Sequence, residues 1–394
     1  MIQNKQYVKR NIEGQTYLFP IGQAIADRKH GVLLNDTGCF LWDLLEEEHS
    51  FEEILSVCAS HYGFSEAELP GLKTDIENFL SYFIKNSMIL ATMAHEPDVS
   101  YYNPAYYSHN YYKTLKIAGI SSMLFGPPEA FSLNLLPFLE DDVKCPDQTI
   151  RISILPVPFC ENGTIILRNK ELAVMDCGSK YILMFPTLPQ INEVHLKKDG
   201  TFAHFFCTGP LNDVFRESLF HALRPVFLYL AQQKGMVALH SASLFYCGKA
   251  WLFSGPAGTG KSTHTNLWKE LYRTSLINGD LNLLAMDADQ PVVHGIPWCG
   301  TSGIYDVRTY PLGGIVLLKQ SPDNYVEDLS VVEKQLAILQ RFISPMWTDK
   351  QLDYNLNIAA ALAKHIFICR LHCNISKEAT ETIKNKIDEY LSLE

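Results

Sequence analysis

The chain has 394 residues, more than one core usually organises, and an apolar share of 47%, so two or three domains with sizeable cores are expected. A net charge of −10 and a pI near 5.7 argue against non-specific binding to nucleic acid or to an anionic membrane. No basic-then-apolar signal pattern opens the chain, no run approaches the roughly 18 apolar residues of a membrane span, and none of the ten cysteines forms C-x-x-C, so a cytoplasmic protein with reduced thiols is expected.

Tyr7 to Pro20 and Gln23 to Asn35 read as short strands, punctuated by Gly14 and Gly22. Asn35-Asp36-Thr37 predicts the cap of a helix through Phe40, Leu41, Leu44 and Leu45. Ser50-Phe-Glu-Glu53 is a capping box, and its helix carries Phe51, Ile54, Leu55, Cys58 and Tyr62 on one face. A third helix carries Leu72, Ile76, Phe79, Leu80, Phe83 and Ile84 on one stripe, and Met88-Ile-Leu-Ala91 closes the unit as a strand. The pattern is winged-helix-like, which normally suggests DNA. Here Glu46, Glu47, Glu48, Glu52 and Glu53 crowd the middle of the unit and oppose a phosphate-binding face.

This unit resembles the PqqD-like domains, recognition elements that bind the leaders of ribosomally made, modified peptides. The resemblance rests on a short β-hairpin opening, Leu33-Leu-Asn-Asp-Thr-Gly-Cys-Phe-Leu-Trp42, and on the closing Phe83 to Ile89. It implies a precursor peptide as partner, its leader held by residues 1–92 as a strand added beside the hairpin, in a groove between the strand near Ala24 to Val32 and the third helix. A purely structural N-terminal domain is the plainer alternative.

Residues 93–113 read as a linker, with turn-formers at His95 to Asp98, Asn103-Pro and Asn110 and six tyrosines between Tyr101 and Tyr112. Such a segment is expected to pack against a domain. Residues 114–235 hold several apolar or alternating runs and end in a helix through Phe215, Leu219, Leu223, Val226, Phe227 and Leu230. Arg151, Lys197 and Lys198 there read as solvated charges.

Chemistry gathers in residues 236–394. Gly255-Pro-Ala-Gly-Thr-Gly-Lys-Ser262 fits the phosphate-binding pattern G-x-x-x-x-G-K-[ST], with the apolar run Ala250 to Phe253 before it and a helical stretch from Thr263 to Leu271 after it. Strand, loop and helix in that order predict a backbone cradle for ATP, made by Gly255, Pro256, Ala257, Gly258, Thr259, Gly260, Lys261, Ser262 and Thr263. Lys261 would reach the β- and γ-phosphates and Ser262 would sit on Mg²⁺.

Around the loop stand His240-Ser-Ala-Ser, Leu276-Ile-Asn-Gly-Asp280 and Gly295-Ile-Pro-Trp-Cys-Gly300. From about His240 to Asn324 this set resembles the HPr kinase-like family, relatives of phosphoenolpyruvate carboxykinase that include peptide serine kinases of lasso-peptide pathways. Asp280 ends a β-branched and apolar run, so it is expected at the sheet edge beside the loop as the base and a Mg²⁺ ligand, with a turn aspartate after Gly279 as the plainer reading. The resemblance matches His240 to the histidine before the loop strand and implies that it relays a proton to Asp280 or polarises the phosphate. Such kinases tend to carry two adjacent acids where this chain has Gly279 and Asp280. Asp287 or Asp289 is a candidate for the missing one. Trp298 and Gly300 are candidates for a substrate edge or for a packed corner, and Arg308 for neutralising charge. Cys369, His372 and Cys373 have a spacing that a zinc site uses, although buried thiols are the plainer reading.

The expected fold class is a multidomain α+β and α/β chain: a winged-helix-like PqqD domain, then a mixed β-rich region and an HPr kinase-like P-loop domain. The expected function is ATP-dependent phosphorylation of a Ser or Thr hydroxyl in a precursor peptide. Peptide and nucleotide are the partners, nucleic acid and membrane are not, and a homo-oligomer stays open. Two other readings remain: a small-molecule kinase with a scaffolding N-terminal domain, and a non-catalytic peptide-binding regulator with a relic P-loop.

Overall fold

A computed structural model of the chain describes residues 1–27, 29–65, 68–90, 112–140, 143, 145–154, 163–188, 190–287 and 290–393. It is a mixed α/β structure that divides into two compact units. The described residues of the first fall within Met1–Tyr101, Glu161–Cys177 and Met346–Asp349, and those of the second within Tyr102–Cys160, Gly178–Pro345 and Lys350–Glu394. Most of the tyrosine-rich linker, 93–111, lies outside the described residues.

In the first unit, strands β1 (Tyr7–Ile12), β2 (Gln15–Pro20) and β3 (Val32–Leu34) form an antiparallel sheet in that order, with β3 at an edge. Helices α1 (Asp36–Leu44), α2 (Phe51–Tyr62) and α3 (Leu69–Lys85) follow. The predicted caps are in place: the Asn35 side chain accepts from the Gly38 N–H, and Ser50 and Glu53 form both bonds of the capping box. Trp42, Ile54, Cys58, Ile76, Leu80 and Phe83 make the core. The closing Ile89–Leu90 pairs with Ile2–Gln3. A hairpin of Thr164–Arg168 and Ala173–Asp176 belongs to the same unit.

Two expectations change. Gln23 to Asn35 is not one strand: Gly22 turns the chain at φ 53°, Gln23–Ala26 is a helical turn, and only Val32–Leu34 pairs. Leu33 to Trp42 is not a hairpin, because the Asn35 cap ends the strand and starts α1 at once. The hairpin is β1–β2.

The second unit opens with a sheet whose strands run in the order β4 (Tyr112–Ile117), β5 (Ile120–Phe125), β6 (Gln148–Ile154), β9 (Phe202–Cys207), β8 (Ile191–Lys197) and β7 (Lys180–Met184). Helix α4 (Asp213–Gln233) leads from it to the strands around the glycine-rich loop.

There β10 (Val237–Tyr246) and β11 (Lys249–Ser254) form a hairpin, the loop follows, and α5 (Lys261–Tyr272) leaves it. β12 (Ser275–Asn278) and β13 (Leu281–Asp287) both pair with β10, and β14 (Gln290–His294) pairs with β13. The long β15 (Thr309–Gln320) pairs first with β14 and then, in parallel, with β11. After β16 (Tyr325–Asp328), α6 (Val331–Leu339) and α7 (Asp349–His365), strand β17 (Phe367–Cys373) lies parallel to β15 and antiparallel to β16.

The last helix, α8 (Lys377–Leu391), packs beside α5 on one sheet face. Trp251, Phe253, Trp268, Val316, Cys369, Leu371, Cys373 and Ile383 fill the space between. β11, β15 and β17 run parallel with their carboxyl ends on one side, β15 and β17 reaching three residues past Ser254, and ligands of parallel sheets gather outside such ends.

Candidate active site

The loop after β11 is shaped for close approach. Gly258 and Gly260 take φ of 79° and 95°, a region open to glycine, and no side chain caps the first turn of α5. Its first backbone N–H groups, at the positive end of the helix dipole, are thus left to an anion. Lys261 Nζ donates to Gly255 O at 3.1 Å and to Pro256 O at 3.3 Å. Burial pushes its ammonium pKa down, and nearby Asp280 partly offsets this. Thr259 donates to Pro256 O, and Gln320 ties Gly258 O to the end of β15. Ser262 is exposed on the first turn.

His240 and Asp280 meet beside this loop, Nε2 to Oδ1 at 3.2 Å. β10 places His240, since Ser241 pairs with Ser254 at the end of β11, and the Ser254 hydroxyl donates to His240 O. Asp280 sits where the chain passes from β12 to β13. The buried Asn278 makes that turn: its Oδ1 accepts from the N–H of Asp280 at 2.9 Å and of Leu281 at 3.1 Å. Its amide also donates to Ile296 O and Trp298 O, which fixes the Gly295–Gly300 loop against the turn. The hydrogen bond to His240, chiefly, holds the Asp280 carboxyl below the usual carboxylate range; burial opposes this, and the charges of His240, Arg224 and Lys261 assist.

Two glycines shape the surroundings. At Gly279, a Cβ would lie 2.1 Å from Ser302 Oγ, whose hydroxyl donates to Cys299 O and accepts from the Ile304 N–H. A second acid has no room there. At Gly300, with φ 61°, a Cβ would lie 2.9 Å from the Asp280 Cβ, so this glycine lets the loop close over the carboxylate. Asp287 does not replace the missing acid. It stands at the other end of β13, seven residues and roughly 20 Å of strand from Asp280. Asp289 lies outside the described residues.

Trp298 is the packed corner rather than an edge for ligand: it is buried, its indole N–H donates to Phe220 O at 2.9 Å, and its ring packs on Phe220 and Phe227. Arg224, on the same stripe of α4 as those two rings, adds positive charge near Asp280. Arg308 pairs with Asp306 at 2.7 Å and lies over Tyr310, away from the dyad's contacts.

Sequence reasoning missed Arg341. It follows α6, its carbonyl accepts from the His240 N–H, and it lines a cavity of about 310 Å³ with Gly255, Pro256, Lys319 and Arg370. It is half-buried, lies close enough to Lys261 to press that pKa down, and no carboxylate among the described residues pairs with it. Two cations held together partly out of water call for an anion between them. No local signal marks Arg341, which lies 80 residues from Lys261.

Cys369, His372 and Cys373 do not converge. On β17 the two cysteines point into the apolar core beneath α5 and α8, where burial raises both thiol pKa values. His372 points the other way, to Glu327 Oε2 at 2.7 Å. Among the described residues no cluster of histidine, cysteine or carboxylate has the form of a metal site, and no helix is long and apolar enough to cross a membrane.

Residues 24–89 match the model of a family described as coenzyme PQQ synthesis protein D (PqqD). This segment is a PqqD domain. The matched stretch runs from the helical turn before β3 through the three helices to the closing strand. Among solved structures, the chain is similar to the HPr(Ser) kinase/phosphatase from Coxiella burnetii, with 11% identity over 39% of this chain and 97% of that one and a TM-score of 0.23. No protein of curated function matches the sequence. In the PqqD domain, β3 offers an open sheet edge with Leu33 exposed. Leu34 and Phe79 both approach Gly38, which sets α3 beside that edge.

Proposed function

We propose that this chain is an ATP-dependent kinase that phosphorylates a Ser or Thr hydroxyl of a ribosomally made precursor peptide, with the leader held by the PqqD domain. The observation that carries the chemistry is the His240–Asp280 pair, 3.2 Å apart, within electrostatic reach of Lys261 at the glycine-rich loop. A carboxylate beside a phosphate cradle is what hydroxyl-to-phosphate transfer requires.

The uncapped first turn of α5 and its glycines fit a triphosphate. Ser262 and Asp280 would hold Mg²⁺, which supplies charge neutralisation when bound. Lys261 and Arg341 stabilise the charge on the transferring phosphoryl oxygens. Asp280 accepts a hydrogen bond from the attacking hydroxyl and takes its proton. Its low pKa makes it a weak base, which suits a loose transition state where the hydroxyl surrenders its proton late. His240 holds the carboxylate in place and keeps it ionised.

A consequence for pH follows. The His240 hydrogen bond lowers the Asp280 pKa, so the acid limb of kcat/KM lies below the ordinary carboxylate range, and activity is lost only as pH falls through that lowered value. His240→Ala is expected to raise the Asp280 pKa and move the acid limb to higher pH. A rate loss with no movement of the limb would refute the positioning role.

Leader capture is tested on the full chain. A leader is expected to add as a strand along β3, with main-chain hydrogen bonds supplying affinity. Leu33→Asp should raise KM for a leader-bearing peptide by roughly tenfold and leave kcat, and the reaction of a leaderless peptide, unchanged, since tethering supplies effective concentration and not catalytic groups. Equal KM values in the two proteins would make the PqqD domain a scaffold.

A further inference from the structure

β11 stops beside β10 at Ser254, which pairs with Ser241. The chain after α6 takes over its place: Phe342 bridges to Leu239, and the His240 N–H donates to Arg341 O. Arg341 therefore lies just beyond the end of β11, where the glycine-rich loop begins, at one wall of the cavity of about 310 Å³. The ends of β15 and β17 supply another wall. Val316, Cys369 and Leu371 belong to the core under α5 and α8, so the alternate residues Leu317, Lys319 and Arg370 turn to the opposite sheet face. Ala337, on α6, adds to that side. Three cations thus line the cavity and no acid does. Glu327, outside the lining, takes one nitrogen of Arg370. Lys319 and Arg341 have no carboxylate partner among the described residues.

We infer that this cavity receives the carboxylate of an Asp or Glu side chain within about three residues of the phosphorylated hydroxyl, an inference that rests on the kinase reading. The triphosphate does not account for all three cations. Its cradle is the uncapped first turn of α5, on the sheet face turned away from Lys319 and Arg370. Lys261 bonds to Gly255 O and Pro256 O at the cavity rim, so the reacting end of the phosphates meets that rim, and Lys319 and Arg370 stand on its far side. The second ligand of the reaction is the peptide. Its hydroxyl must meet Asp280, which the start of β13 holds on one side of β10, while Arg341 stands on the other side. Two strand spacings, about 10 Å, separate those positions, and about three residues of extended peptide cross that distance. A carboxylate carried there falls among Arg341, Lys319 and Arg370. Arginine forks match a carboxylate in shape and charge, and half-burying Arg341 beside other cations is costly until an anion arrives.

Transfer from radiolabelled ATP to leaderless peptides tests this on the full chain. Each peptide is a short alanine–glycine sequence with one central Ser, blocked at both ends, with Glu, Gln or Lys at a single position on either side. Blocked ends leave the side chain as the sole carboxylate. At the best position Glu should raise kcat/KM over Gln by roughly tenfold, and Lys should lower it. Lys319→Glu, a change at the exposed end of β15, gives the cavity a carboxylate of its own and should bring the Glu and Gln peptides to equal rates. The reaction of the Gln peptide and the calorimetric ATP affinity should stay within a few-fold of wild type. Transfer with no preference for Glu would overturn the inference, and so would a Lys319→Glu protein that keeps the preference. Weaker ATP binding in that variant, with an equal loss on every peptide, would also overturn it, since the cavity would then serve the triphosphate. Transfer to no peptide while ATP still binds would instead remove the peptide-kinase reading, and the inference with it.

Discussion

Lys261→Ala is expected to lower phosphoryl transfer by a hundredfold or more, about 2.7 kcal/mol, with the fold intact. The ammonium is the charge aimed at the β/γ-phosphates, and alanine removes it while Arg341, Lys319 and Arg370 stay where they line the neighbouring cavity. Its two hydrogen bonds to Gly255 O and Pro256 O are lost as well, but those carbonyls lie at the partly open loop, where water replaces the donor. The melting temperature should therefore move little while the rate falls. Single-turnover transfer from radiolabelled ATP, measured beside a thermal melt, separates the two effects. Near-wild-type turnover would end the assignment of this loop as the triphosphate site.

What the sequence made legible was local. The glycine-rich loop, the Ser50 box and the Asn35 cap are each set by residues within eight positions, and motif and structure agree on them. His240 and Asp280 lie 40 residues apart in the sequence, and the fold brings them together because β10 pairs with both β11 and β13. The rest depended on contacts that no window contains. Gly279 reads as a lost acid until Ser302, 23 residues on, is found in the space a side chain would need. Asn278 reads as a turn residue until its amide is seen binding the Trp298 loop. Arg341 has no pattern at all. Gln23 to Asn35 misled because Gly22 and an alanine-rich turn interrupt a stretch whose composition looks extended.

Asp280→Asn is expected to keep nucleotide binding and lose turnover by roughly 10²- to 10⁴-fold, the range for a positioned proton acceptor. The substitution is chosen for shape. Gly300 leaves just enough space for the Asp280 side chain, and asparagine fills the same volume, so the loop need not move. Asparagine Oδ1 still meets His240 Nε2, which keeps the histidine in place. What goes is the negative charge and the ability to take a proton. Those two losses have different signatures. If Asp280 served Mg²⁺ alone, raising Mg²⁺ would restore most of the rate, because mass action refills a weakened site. If it is the base, saturating Mg²⁺ leaves the rate low. Calorimetric ATP affinity should stay within a few-fold of wild type in either case. Full turnover in the variant would exclude Asp280 from the chemistry. Asp287 could not take its place, since β13 carries it to the far end of the strand.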